Sequence, residues 1–156
     1  MTITPANQDD LDAINRVIEA AIMRWDLPER VKRLSIPSYF YNEQDLQHLE
    51  IVVANQDNSI IAVASWEPAE NKDTPCNQTG LLLHGLYVHP DYQNIGIGKK
   101  LLNAAENATR NKGLNGLLVK AQADAVAYFI KQGMTEVEIE NTSRDYAHRL
   151  WKAISG

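Results

Sequence analysis

The sequence predicts an α+β domain, and three observations carry that reading. Segments with strand and helix patterning follow one another in the order β-α-α-β-β-β-α-β-α-β-β. Strands in a run with helices on either side suggest α+β, or a mixed sheet with a parallel segment. The chain has 156 residues, of which 44% are hydrophobic and 22% charged, a length and balance suited to one soluble domain over 1–156 with a sizeable core.

Thr2–Thr4 is a short strand candidate ended by Pro5, and Asn7 or Asp9 is placed to cap the helix after it. Leu11, Ile14, Val17, Ile18, Ala21 and Ile22 recur at helical spacing, so an amphipathic helix is expected from Asp9 to about Met23. Arg24–Leu49 is less regular. Pro28 stands near the first position of a short helix, Glu29–Leu34, which Ser35-Ile36-Pro37-Ser38 is expected to stop. Tyr39-Phe40-Tyr41 is an aromatic cluster in an expected loop, where it either lines a binding pocket or plugs a core edge.

Ile51–Ala54 and Ser59–Trp66 read as a hairpin turning through Asn55–Asn58. Glu67–Gly80 is polar, holds Pro68 and Pro75, and reads as a surface loop. Its Cys76 has no adjacent His or Lys to lower its pKa and reads as inert. Leu81–Val88 is an apolar strand interrupted only by His84 and Gly85, and Pro90 breaks it. An amphipathic run begins at Lys99, with Gly98, Leu101, Leu102, Ala105 and Ala108 on one face and Gly113 closing it. Gly116–Lys120 is a short buried strand, and a helix is expected over about Asp124–Gln132, ended by Gly133. Strands over Met134–Glu140 and Tyr146–Ala153, joined by a turn at Asn141–Ser143, complete the chain.

The stretch Leu81–Leu102 carries the chemistry. Gln93-Asn94-Ile95-Gly96-Ile97-Gly98 joins the strand to the helix. Its two glycines let the backbone turn tightly and approach a ligand. The helix N-terminus behind them adds unpaired N–H donors and partial positive charge. Together these make an anion cradle suited to a phosphate or pyrophosphate. An ordinary strand–turn–helix with glycine at the turn is the plain alternative. A dinucleotide-binding loop ranks lower, because Leu101 stands where its third glycine belongs and hairpin-spaced strands precede it.

The spacing Gln93-x-x-Gly96-x-Gly98, after a strand ending Val88-His89-Pro90, resembles the acetyl-CoA-binding motif of the GNAT N-acetyltransferase superfamily. The order of elements coincides with that family's fold. The resemblance therefore implies a central, mixed, mostly antiparallel sheet of six to seven strands flanked by about four helices. It implies acetyl-CoA as acyl donor and transfer to a primary amine, small molecule or peptide, in a ternary complex. The amides from Asn94 to Lys99, through Ile95, Gly96, Ile97 and Gly98, would hold the pyrophosphate. The strand edge at Leu86, Tyr87 and Val88 would pair with the pantetheine amides. Gly85 marks a bulge or a close backbone approach, and its N–H could face the thioester oxygen.

Family members often carry a carboxylate base on this strand, at the position that the Gln93 register gives to Leu82. His84, two residues on and on the same face by strand alternation, is the candidate base; one branch of the family carries a histidine there in a similar His-x-Leu-x-Val-His context. A core histidine bonded to backbone is the bland reading of the same residue. The family's tyrosine acid falls on Phe129, with Tyr128 beside it and Gln122 in place of an asparagine. Neighbouring helix residues point about 100° apart. Tyr128 thus serves as the acid only if the helix is locally rotated; otherwise another group or water protonates the thiolate. Tyr39 and Tyr41 are the candidate acceptor-binding residues. Leu82 and Phe129 also motivate a rival reading, a non-catalytic acyl-CoA-binding or regulatory module.

No apolar run reaches membrane-helix length, and MTITPANQDDLD has neither the basic nor the apolar region of a secretory signal. One cysteine forms no internal disulfide, which fits a reducing compartment, expected to be the cytoplasm. A net charge of −5 gives no sign of nucleic acid or membrane as partner and mildly favours cationic substrates such as amines. No metal site is expected, and a homodimer is compatible with this reading.

Overall fold

A computed structural model describes residues 1–121, 123–137 and 148–154. The described residues form a mixed, mostly antiparallel sheet with strand order β1-β2-β3-β4-β5-β7-β6. The strands are β1 Thr2–Pro5, β2 Glu50–Gln56, β3 Ser59–Pro68, β4 Gly80–Val88, β5 Gly116–Lys120, β6 Thr135–Val137 and β7 Arg149–Ala153. The helices are α1 Leu11–Ile22, α2 Glu29–Tyr39, α3 Glu43–His48, α4 Ile97–Asn111 and α5 Ala123–Lys131. Two compact units divide the chain, one built from Met1–Ser65 and Gly85–Leu102, the other from Trp66–His84 and the described residues from Asn103 on.

In the first unit β1 pairs antiparallel with β2, from Thr2 opposite Asn55 to Pro5 opposite Val52. Asn7 caps the 3-10 turn Gln8–Asp10 by accepting from the Asp9 N–H at 2.9 Å, and Asp10 returns the bond to the Asn7 N–H. α1 starts only at Leu11, because the first residues of the expected helix form that tighter turn. It buries Ile14, Val17, Ile18 and Ile22 against Ile36, Tyr41, Ile51, Val53 and Val63. The hairpin turns through Asp57 (φ 52°) and Asn58 (φ 64°), two positive-φ residues that fit the twist of a two-residue connection. β2 and β3 therefore extend further than expected, and the four-residue turn contracts to two.

Two expectations for 24–49 are overturned. α2 does not stop at Leu34 but runs through Pro37 to Tyr39. Pro37 lies in the exposed last turn, so the carbonyl that loses its partner faces solvent, and burial of Ile36 in the core holds the turn in place. A fifth helix, α3, follows behind an Asn42/Asp45 capping box, with the Asp45 N–H donating to Asn42 Oδ1 at 3.0 Å and the Asn42 N–H to Asp45 Oδ2 at 2.9 Å.

In the second unit β4 pairs in parallel with β5, Gly80–Leu83 against Gly116–Val119. β7 lies antiparallel to β5 and to β6. Leu81, Leu117, Leu118 and Leu150 are fully buried. Gly80 and Gly116 lie under the Trp151 ring, where a side chain on either would collide with it. Glu67–Gly80 is more than the expected surface loop. β3 runs on to Pro68, and Asp73 is drawn in toward Lys120, with Oδ2 3.1 Å from Nζ, while the Arg149 guanidinium donates to the Asp73 carbonyl at 3.1 Å. Gly113 (φ 69°) and Gly133 (φ 94°) close α4 and α5 as expected. Of the two last strands, β6 and β7 keep only 135–137 and 149–153; the rest of the expected segments, with the turn at 141–143 and Gln122, lies outside the described residues.

Candidate active site

The segment after β4 is held by one backbone bond to β3 and by the side chains of His89 and Gln93. The His89 N–H donates to the Ile61 carbonyl at 2.9 Å, tying the strand end to β3. The His89 imidazole caps the 3-10 turn Pro90–Tyr92, its Nδ1 accepting from the Asp91 N–H at 3.1 Å. Gln93 reaches back, and its Nε2 donates to the Val88 carbonyl at 3.2 Å. Asn94 (φ 65°) and Gly96 (φ 86°) then take left-handed conformations that reverse the chain into α4.

α4 begins at Ile97, two residues before the expected start. The first helical bond runs from the Lys100 N–H to the Gly96 carbonyl at 3.1 Å, so the amides of Ile97, Gly98 and Lys99 precede the helical ladder. The Ile97 side chain is buried and anchors the turn, while Asn94, Ile95, Gly96 and Lys99 are exposed. No acidic residue occupies the first turn, and Lys99 and Lys100 add positive charge to the helix end. A methyl group built on Gly96 meets nothing within 4 Å. Open space, unladdered amides and positive charge fit a bound anionic group such as a pyrophosphate.

Behind β4 stands a cluster of hydroxyls. Gly85 is a close approach, not a positive-φ residue: a Cβ there would lie 2.5 Å from the Tyr41 hydroxyl and 2.9 Å from the Tyr87 ring. Tyr41 is 5% exposed and packs in the core of the first unit. Its hydroxyl shares a 2.5 Å hydrogen bond with the buried Ser65. Its backbone is clamped by Asn15, which accepts from the Tyr41 N–H at 2.9 Å and donates to its carbonyl at 3.0 Å. Tyr39 is half-buried with its ring edge-on to Trp25, centroids 5.4 Å apart. Of the two candidate acceptor-binding tyrosines, Tyr41 therefore belongs to the core and Tyr39 to its margin. Leu86, Tyr87 and Val88 are half-buried. Burial, reinforced by the nearby Tyr41 and Tyr39, pushes the Tyr87 phenol well up.

In the second unit, Leu81 and Leu83 are buried on one face of β4 while His84 points outward. The His84 side chain is 46% exposed, so it is not a packed core histidine. Its Nδ1 lies 3.2 Å from Glu67 Oε2. On α5, Phe129 is buried and Tyr128 is 37% exposed, with ring centroids 5.3 Å apart. Tyr128 is thus turned away from the Phe129 position, as their adjacency on a helix requires. Partial burial raises the Tyr128 phenol above its ordinary value. Cys76 is exposed and free, and no cluster of three potential metal ligands exists among the described residues.

Sequence reasoning missed Glu67 and Ser65. Ending β3 at Trp66 left Glu67 in a loop and hid its place on the strand beside β4. The signal was Pro68, a natural strand terminator one residue further on.

The family model described as "Acetyltransferase (GNAT) family" matches residues 19–134. No curated protein matches the sequence significantly. Among solved structures, the chain is similar to the PaiA N-acetyltransferase of Thermoplasma acidophilum in complex with coenzyme A, at 18% identity and TM-score 0.75 over 98% of this chain and 99% of that one. It is similar to a GNAT family acetyltransferase of Brucella melitensis in complex with acetyl-CoA, at 18% identity and TM-score 0.66 over 99% and 88% of the two chains. A third, the ribosomal-protein-S18-alanine N-acetyltransferase of Escherichia coli, shares 19% identity at TM-score 0.62 over 98% and 92%.

Proposed function

The chain belongs to the GNAT acetyltransferase family, and we propose that it moves an acetyl group from acetyl-CoA to a primary amine by direct transfer in a ternary complex. The observation that carries this reading is the open, positively charged backbone turn from Asn94 to Lys99 ahead of α4. Two structures of the same fold, from Thermoplasma acidophilum and Brucella melitensis, are complexes with coenzyme A and acetyl-CoA, which supports the choice of donor.

Acetyl-CoA supplies an activated thioester when bound. The amides of Asn94–Lys99 hold its pyrophosphate, with Gln93 fixing the turn to the strand end. The edge of β4 at Leu86, Tyr87 and Val88 receives the pantetheine amides. His84 takes one proton from the acceptor's ammonium group, which frees the nitrogen lone pair to form the C–N bond at the acyl carbon as the C–S bond breaks, and the second nitrogen proton leaves to water as the amide forms. With Tyr128 turned away from the position at which the family's acid would stand, water would supply the proton for the departing sulfur. Tyr39 borders the acceptor side, with Tyr41 supporting it from the core. The acidic balance of the chain draws in cationic amines. We place the enzyme in the cytoplasm as one catalytic domain, in keeping with a single exposed thiol and the lack of any helix long and apolar enough to cross a membrane among the described residues.

Release of free CoA thiol across a panel of amines, from polyamines to peptides with a free N-terminus, tests this reading. Turnover with at least one amine, dependent on acetyl-CoA, is the expected result. Tight acetyl-CoA binding with no turnover on any amine replaces it with a non-catalytic acyl-CoA-binding module, the reading that Leu82 and Phe129 motivate.

A further inference from the structure

We infer that Glu67 is a positioning residue that fixes the tautomer and orientation of the His84 imidazole. The inference rests on the proposed role of His84 as the base. Two bonds set the frame. The Ala69 N–H donates to the Gly80 carbonyl at 2.9 Å, and the His89 N–H donates to the Ile61 carbonyl at 2.9 Å, so β3 and β4 run antiparallel. In that register Glu67 falls opposite Leu82 or Leu83, which leaves it a diagonal neighbour of His84 within side-chain reach. Its Oε2 lies 3.2 Å from His84 Nδ1.

A carboxylate accepts and does not donate. The imidazole nitrogen it faces must then carry the hydrogen, which leaves the lone pair on Nε2 as the basic site. Which ring nitrogen is protonated is set by the hydrogen bond that the other one makes. The carboxylate thereby favours one ring orientation and one tautomer. Both side chains are partly open to solvent, at 46% for His84 and 35% for Glu67, so the contact serves geometry more than stability.

Three single variants, one double variant and three readouts test this. In ¹⁵N-labelled wild-type protein above the histidine titration range, His84 should show the Nδ1–H tautomer, with its signals assigned among the four histidines by their loss in His84→Ala. Glu67→Ala should shift His84 toward the Nε2–H form, while Glu67→Gln, whose amide oxygen still accepts, should retain the wild-type tautomer. Glu67→Ala should lower kcat roughly ten- to a hundredfold, the range for outer partners of a working histidine, with acetyl-CoA affinity unchanged. Glu67→Gln should fall between it and wild type. In a His84→Ala background, Glu67→Ala should cost nothing further. An unchanged tautomer in Glu67→Ala, or an equal loss of rate with and without His84, overturns the inference. If His84→Ala itself keeps its rate while the tautomer shift still occurs, the base assignment fails and the pairing stands.

Discussion

The turn from Gln93 to Lys99 and the pair His84–Glu67 are built in opposite ways. The turn is local and made of backbone: a left-handed Asn94, a left-handed Gly96 and three amides ahead of the α4 ladder. Its side chains, Ile97 apart, face solvent. The pair is made of two side chains 17 residues apart in sequence, brought to 3.2 Å by the register of two strands. If the turn binds as proposed, it should tolerate almost any side chain that leaves the path open. If the pair acts in catalysis as proposed, it should depend on two residue identities and on the strand geometry between them. Mutations should therefore separate the two functions, binding at the turn and rate at the pair.

The largest effect is expected at the pair. His84→Ala should lower kcat/KM by roughly 10²–10⁴-fold at neutral pH, with acetyl-CoA affinity nearly unchanged. Steady-state kinetics beside calorimetry measure both; a folded His84→Ala enzyme at full rate would move the base elsewhere. Next comes the scaffold behind β4. Tyr41→Ala removes a core aromatic and should cost about 3–5 kcal/mol in a thermal or denaturant melt, whereas Tyr39→Ala should chiefly raise the acceptor KM. An acceptor KM that moves with Tyr41→Ala at unchanged stability would shift Tyr41 into the pocket.

Gly85→Ala should cost about 1–3 kcal/mol, because its methyl group would meet the Tyr41 hydroxyl and the Tyr87 ring. A neutral result would mean that the phenols yield freely. The smallest effect is at alkaline pH. Burial holds the Tyr87 phenol above its unfolded value of about 10. Its contribution to stability is therefore complete below pH 10 and declines as the pH rises beyond it. Tyr87→Phe should flatten that decline in melts above pH 10; an identical pH dependence in the variant would contradict it.

The same contrast explains what was legible in the sequence. The glycine turn, the β5 strand and the ends of α4 and α5 depend on local chemistry, on Gly96, Gly113 and Gly133 taking positive φ, and each was readable from spacing. The α2–α3 segment was not. Pro37 signals a stop, but burial of Ile36 outweighs one lost hydrogen bond at an exposed last turn. The Asn42-x-x-Asp45 capping box was a local signal that the aromatic cluster before it overshadowed. Glu67 could not be paired with His84 without the β3–β4 register, which no local pattern states. The buried Tyr41–Ser65 bond was hidden for the same reason.

The central claim is that the backbone turn ahead of α4 binds the pyrophosphate of an acyl-CoA. Isothermal titration of acetyl-CoA into wild-type and Gly96→Asp protein tests it most directly, with circular dichroism to confirm that both are folded. A side chain at Gly96 enters open space and so should spare the fold, apart from about 1–2 kcal/mol for its left-handed backbone. The account predicts that Gly96→Asp binds acetyl-CoA at least tenfold more weakly than wild type, about 1.4 kcal/mol, because of the added carboxylate. A folded Gly96→Asp protein with undiminished affinity would contradict it and leave the turn an ordinary connection between strand and helix.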